Sequence, residues 1–352
     1  MKTTTRVNEE ALIDDISSES LHFEDNAIYN SSFKVADAEN VSISSKYLQK
    51  GQLWHAILIT NLIPTFGFIA TLVSIWYWGV GVMEVTLLFV GYFLTMMGAE
   101  IGFHRLFTHR SFKTKKFLEV SLAILACMCA QGPLIYWVAN HRRHHQHSDK
   151  EGDPHSPHLF GNSFTGILKG LWYSHIAWQA VHEIPNTAKF ANDLLKDPVL
   201  RKINKHYFLW VVLGVVIPTL IGGLVTMSWQ GAVSGLLWGG LTRIFLVNHA
   251  TFSLNSICHV FGSRPFSTKE YSRNNIWLVI PTLGQGWHNN HHAFPYSASV
   301  SFDRWQIDPS LWVIKCWGAL GLAWDIKVPN KQHIEEIAQK LREKNNKLTK
   351  LK

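Results

Sequence analysis

The chain has 352 residues and a net charge of +8; 47% of its side chains are hydrophobic and only 16% are charged. Its apolar residues stand in long blocks rather than at an amphipathic period, which excludes an ordinary soluble domain and points to an integral membrane protein. The basic excess gathers at helix ends and in the C-terminal tail, so it needs no nucleic-acid partner, and the four cysteines lack the CxxC spacing of a thiolate zinc site or a disulfide framework.

Residues 1–50 are acidic and rich in Ser and Asn, and no apolar stretch begins before Leu53; they are expected to form a disordered cytoplasmic leader without a cleavable signal peptide. Apolar runs at about 55–76, 82–103, 207–227 and 229–250 are each long enough to cross roughly 30 Å of hydrocarbon, and predict four transmembrane helices in two hairpins. The tight turns at 78–83 and 227–230 contain no Lys or Arg. Arg105, Arg110, Lys113, Lys115, Lys116, Arg142 and Arg143 crowd the region after the second helix, so the positive-inside rule puts that side in the cytoplasm. A further apolar stretch, Phe117 to Val138, is expected to be two shorter helices broken near Gly132-Pro133 at the cytoplasmic interface, since a single crossing would place the flanking histidines on opposite faces. Residues 146–206, punctuated by Pro154, Pro157, Pro185 and Pro198, form a cytoplasmic cap with the segment after 250. The transmembrane domain spans 51–328. Residues 329–352 are a basic helical tail with Ile334, Ile337, Ala338 and Leu341 on one stripe. The expected fold is an all-α integral membrane protein with four transmembrane helices and a cytoplasmic helical cap carrying a histidine-rich dimetal site.

Histidine spacing carries the chemistry. His104 and His109, then His141, His144 and His145, then His288, His291 and His292 form three clusters, more imidazoles than one tetrahedral zinc can use, so two metals is the natural count. The i, i+3, i+4 pattern of the second and third clusters puts at least two rings on one helical face. His104 and His109 are five apart, about 140° around an α-helix, and are expected to reach different metals or to straddle a helix end. Asn255 and His259, four apart beyond the fourth helix, add a ninth imidazole and an amide able to hold a metal-bound water. Asp149, Asp153 and Glu100 are the expected acceptors for ligand ring N–H groups. Arg243 is expected to snorkel to the cytoplasmic surface, and the isolated histidines His22, His55, His175, His182, His206 and His333 read as ordinary hydrogen-bonded residues.

The motifs Gly102-Phe-His-Arg-Leu-Phe-Thr-His-Arg-Ser-Phe112, Asn140-His-Arg-Arg-His-His-Gln-His-Ser-Asp149, Gly152-Asp-Pro-His-Ser-Pro157, Asn248-His-Ala-Thr-Phe252 and Gly286-Trp-His-Asn-Asn-His-His-Ala-Phe-Pro295 occur in this order. With them the chain resembles the membrane-bound fatty acyl desaturases, specifically the acyl-CoA delta-9 (stearoyl-CoA type) branch in its bacterial form, over roughly residues 51–328. The resemblance implies a di-iron centre bound by His104, His109, His141, His144, His145, His259, His288, His291 and His292, with Asn255 holding a water. It also implies an apolar tunnel for the acyl chain of an acyl-CoA, O2 as co-substrate, and insertion of a cis double bond. Electrons are expected from a separate ferredoxin-, rubredoxin- or cytochrome b5-like partner, and the enzyme from a bacterial inner membrane with its site facing the cytoplasm.

Two residues depart from that pattern. Gln285 stands where a Glu is common before the third cluster, and Glu100 is an acid where a neutral residue is expected. The pair either compensates or marks another outcome: triple-bond formation, hydroxylation, or an acyl group on carrier protein or lipid. A metal transporter or zinc receptor is the competing non-enzymatic reading.

Overall fold

The computed structural model describes residues 41–43, 46–161, 163–181 and 183–350, so most of the expected leader, with His22, and also His182 lie outside the described residues. Two long apolar helices come first, α1 (Leu48–Trp78) and α2 (Val82–Thr108). They are joined at Gly79, whose φ of +76° is a left-handed conformation that favours glycine. Next come two short helices, α3 (Lys116–Cys127) and α4 (Leu134–His147), parted where the sequence expects the break. The carbonyls freed at that break are not left bare: Arg243 donates to Met128 O (2.7 Å) and Thr60 to Ala130 O (2.9 Å). The third long apolar helix is α5 (Tyr207–Thr226), which turns at Met227 into α6, a continuous helix over 229–256 capped by Ser228.

Small residues let these helices meet. A Cβ at Gly98 would lie 2.4 Å from Ala126 N, and one at Gly222 would lie 2.1 Å from Gly231 O, so α2 touches α3 and α5 touches α6 almost backbone to backbone. α1 packs on α6 through a Thr71–Thr242 hydroxyl pair (2.7 Å) and stacked Phe68 and Phe245. Outward-facing Phe66, Phe89 and Leu224 remain exposed, as lipid-facing side chains do.

Of the four expected spans, three helices among the described residues are both long and apolar enough to cross a membrane. The fourth, α6, has the length, but it carries buried Ser234, Thr242, Arg243, Asn248, Thr251 and Ser256, which make it an interior helix of mixed polarity. Arg243 does not snorkel. It is 1% exposed and donates to Gly239 O, Met128 O and Gly214 O, tying three segments together at the middle of the bundle. Some of the cations read as a sidedness signal are likewise internal: Arg105 is 1% and Arg143 5% exposed.

The rest of the chain assembles around the α2 and α4 ends. A two-residue strand, Ser42–Ile43, pairs antiparallel with Ile184–Pro185, and Lys113–Thr114 pairs with Ala323–Trp324. α7 (His288–Ala293) and α8 (Pro309–Ala319) follow the long loops after α6, and α9 (Lys331–Lys350) closes the described chain.

Candidate metal centre

All nine expected imidazoles converge. His104, His109, His141, His145 and His291 form one group and His144, His259, His288 and His292 another, with the nitrogen atoms inside each group within 4.8 Å of one another. The clusters on α4 and α7 divide between the groups in the same way. α4 gives the i, i+4 pair His141 and His145 to the first and His144 to the second; α7 gives His288 and His292 to the second and His291 to the first.

The backbone explains how His104 and His109 share a group. Residues Gly98–Thr108 are wound as a π-helix, and the His109 N–H bonds to His104 O at 3.1 Å, an i to i+5 closure. That wider turn brings residues five apart onto one side, with ring centroids 4.7 Å apart; His109 caps the helix end, so of the two expected outcomes the pair straddles the helix end and does not reach different groups. α7 is only six residues long and too short to hold itself. Its two asparagines pin it: Asn289 exchanges bonds with the Phe266 backbone, Asn290 donates to Val300 O, and Asn274 Oδ1 accepts from both asparagine N–H groups. The end of α2 is fixed by Arg105, which forms a buried bidentate pair with Asp308 at 2.8 and 3.1 Å.

Carboxylates set the tautomers. His259 Nδ1–H donates to Asp149 Oδ2 at 2.8 Å and His144 Nδ1–H to Asp153 Oδ1 at 3.0 Å; a carboxylate only accepts, so Nδ1 keeps its proton in both rings and Nε2 is the atom each can offer to a cation. Glu100 Oε2 stands 3.7 Å from His104 Nδ1, and Gln285 Nε2 stands 3.5 Å from His104 Nε2. Sequence reasoning missed Glu270, whose Oε1 lies 3.8 Å from His292 Nδ1, because it sits in a loop with no recognisable motif. It also missed His155, tilted against His144 with ring centroids 4.4 Å apart, although the Gly152–Pro157 motif contains it.

Burial, and then neighbouring imidazoles, hold His109, His141, His145, His288, His291 and His292 well below the ordinary histidine value, and His144 down to about 3. They are neutral donors. His259 goes the other way: burial lowers it, but the Asp149 carboxylate outweighs this and lifts it to about 9.

Nε2 atoms face one another at 3.0–3.2 Å in the pairs His104–His291, His141–His145, His145–His291, His259–His288 and His288–His292. At most one nitrogen of a pair of neutral rings can donate, and His109 Nε2 and His144 Nε2 are buried with no partner. Such convergence of lone pairs calls for cations. Ligands about 2.1 Å from an ion and roughly 90–100° apart are separated by this same distance, so each group fits a metal ion.

A cavity of about 660 Å³ opens on both groups: His104, His141 and His288 line it together with Glu100, Gln285 and Asn255. Much of its remaining wall is apolar and aromatic, including Trp54, Pro133, Trp137, Phe208, Phe252 and Leu254. His55 closes one side by a 2.7 Å bond to Tyr207, while His175 bonds His249 at 3.0 Å away from both groups, as ordinary paired histidines.

Residues 78–306 match the fatty acid desaturase family. The chain is 47% identical over 309 residues to a hex-5-enoyl-[acyl-carrier protein] acetylenase of Moorena producens, covering 86% of this chain and 95% of that protein. It is 38% identical over 240 residues to an sn-1 stearoyl-lipid 9-desaturase of Anabaena variabilis (67% and 80% covered). It is 36% identical over 249 residues to an acyl-CoA C20 Delta5-desaturase of Anemone leveillei (70% and 74% covered).

Proposed function

Since the chain belongs to the fatty acid desaturase family, and so to a family of oxidoreductases, we propose that it oxidises an acyl chain carried as a thioester on acyl carrier protein, forming a carbon–carbon multiple bond. The nine histidines would hold two iron ions, with Asn255 placed in the cavity wall to hold a water. Iron with O2 supplies the oxidising power for an unactivated C–H bond that no side chain possesses.

The protein's own residues do the rest. Asp149 and Asp153 fix two imidazoles in the tautomer that presents Nε2, and the apolar cavity wall binds methylenes, keeps water away and holds adjacent carbons beside His104, His141 and His288. Gln285 places a neutral amide, and Glu100 a carboxylate, against His104. The balance is that of a mixed-function oxidation. O2 becomes two waters by taking two protons with two electrons (two hydrogen atoms) from the acyl chain, two electrons from an external one-electron carrier of the ferredoxin, rubredoxin or cytochrome b5 type, and two protons from solvent.

The expected acyl-CoA delta-9 activity gives way here to the carrier-protein alternative. The observation that carries this is the likeness to the Moorena acetylenase, which runs along 86% of this chain, whereas the acyl-CoA relative matches at lower identity over 70%. A bacterial inner membrane with the histidine-bearing end in the cytoplasm is part of the proposal. The test is to supply iron-loaded protein, reductant and O2 with hexanoyl and hex-5-enoyl groups on carrier protein, and with stearoyl-CoA, and to read products by mass spectrometry. Loss of two hydrogens from the carrier-bound chains supports the reading; oxidation of stearoyl-CoA alone refutes it.

A further inference from the structure

The cavity is open at one end and stopped at the other. At its mouth the lining residues Leu48 and Trp54 are 49% and 52% exposed, while at its inner end Glu100, Thr60 and Thr251 are 3–7% exposed. From α2 only Glu100 and His104 reach the cavity, and from α6 nothing below Thr251. One step beneath the inner lining, three of the segments that wall the cavity carry a fully buried apolar side chain. Met96 is one turn below Glu100, Val247 one turn below Thr251, and Cys129 two residues before Gln131, and all three are 0% exposed. They belong to a single packed cluster with Met97, Ile101 and Leu283. The layer is braced by polar bonds: Cys129 Sγ–H donates to Thr95 O at 3.2 Å, Thr251 Oγ–H to Val247 O at 3.0 Å, and Asn248 Nδ2–H to Thr60 O at 3.1 Å. The chain therefore has nowhere to continue past the histidine groups, and the space that exists must also take the arm of the carrier.

We propose that Met96, Cys129 and Val247 form a floor that stops the acyl chain just beyond the histidine groups, so that the enzyme selects short chains and reacts at or next to the methyl end. This rests on the acyl-oxidising reading above and names the specificity it would have. The hex-5-enoyl group in the Moorena relative's name, a six-carbon chain unsaturated at its far end, is of this shape.

The test measures binding, not turnover. Acyl groups of six to eighteen carbons on carrier protein are titrated onto the iron-loaded full chain with no reductant present. Affinity is expected to rise about fourfold for each added methylene that is buried, then to stop rising at a chain far shorter than eighteen carbons. Met96→Ala and Val247→Ala are expected each to move that break to longer chains; should either variant fail to fold, the wild-type break decides alone. A steady rise to eighteen carbons in the wild type overturns the floor. The same series on coenzyme A separates the two readings. Binding only on that carrier removes the carrier-protein proposal, and the position of its break still judges the floor.

Discussion

Asp149→Asn removes a charge while keeping a shape. Asp149 is a buried acceptor for three donors: His259 Nδ1–H and the Tyr271 N–H reach Oδ2 at 2.8 Å each, and the Ser156 hydroxyl reaches Oδ1. In the Asn variant the amide oxygen keeps the first two donors, and the amide N–H faces Ser156, whose hydroxyl rotates to accept. A hydrogen bond to a charged group contributes about 1.5–3 kcal/mol and one to a neutral group about 0.5–1.5. The bond that makes His259 a good donor thus weakens by about 1–1.5 kcal/mol, which is about tenfold in affinity for a cation at Nε2. Asp149→Ala differs in kind, since it strands two buried donors, His259 Nδ1–H and the Ser156 hydroxyl, at about 1–3 kcal/mol each and is read as lost folding. The assay is chelator titration of iron-loaded protein with iron counted per chain. One of two equivalents is expected to leave at about tenfold lower chelator concentration than in the wild type. Release of both equivalents together at the wild-type concentration would refute the reasoning.

His291→Ala removes a ring whose Nε2 faces both His104 and His145, and is expected to abolish oxidised product and lower iron content while membrane insertion persists; product at wild-type levels rejects the ligand role. Glu270→Gln is expected to cost less iron affinity than Asp149→Asn, since 3.8 Å is beyond hydrogen-bonding distance, and an equal loss in the same titration contradicts this. Arg105→Met leaves Asp308 buried and unpaired and is expected to cost about 3–5 kcal/mol, with part regained in the Arg105→Met/Asp308→Leu double variant; thermal unfolding in detergent measures both. Chelating the iron is expected to lower the unfolding temperature of the wild type, because a ligand bound only by the folded state stabilises it.

The clusters could be read in the sequence because the spacing at His141, His144 and His145, and again at His288, His291 and His292, is a helical geometry written in residue numbers. Asp149 and Asp153 were legible for a related reason, lying close after a ligand cluster with few other acceptors near. The break at Gly132-Pro133 followed from an argument about sides of a membrane rather than from propensity. The π-winding of Gly98–Thr108 was not legible, since no composition distinguishes it from an α-helix and only the closing bonds reveal it. Arg243 was misread because a cation in an apolar run is priced by its environment. Three carbonyls from different segments satisfy it, and none is near it in the chain apart from Gly239. α6 was read from its apolar run, and what that run did not show is that its polar side chains face neighbours, which are invisible in one dimension.

The division of the α4 and α7 clusters between the two groups has a consequence for how such a centre can change. A single helix displaced by a fraction of an ångström disturbs both ions at once, so α4 and α7 cannot be adjusted to favour one ion over the other. His104 and His109 at the end of α2 and His259 in the turn after α6 stand outside that arrangement, the pair serving the first group alone and His259 the second alone. Natural variation that tunes the two ions separately is therefore expected to accumulate around the α2 pair and around His259 with its carboxylate, leaving the α4 and α7 clusters unaltered.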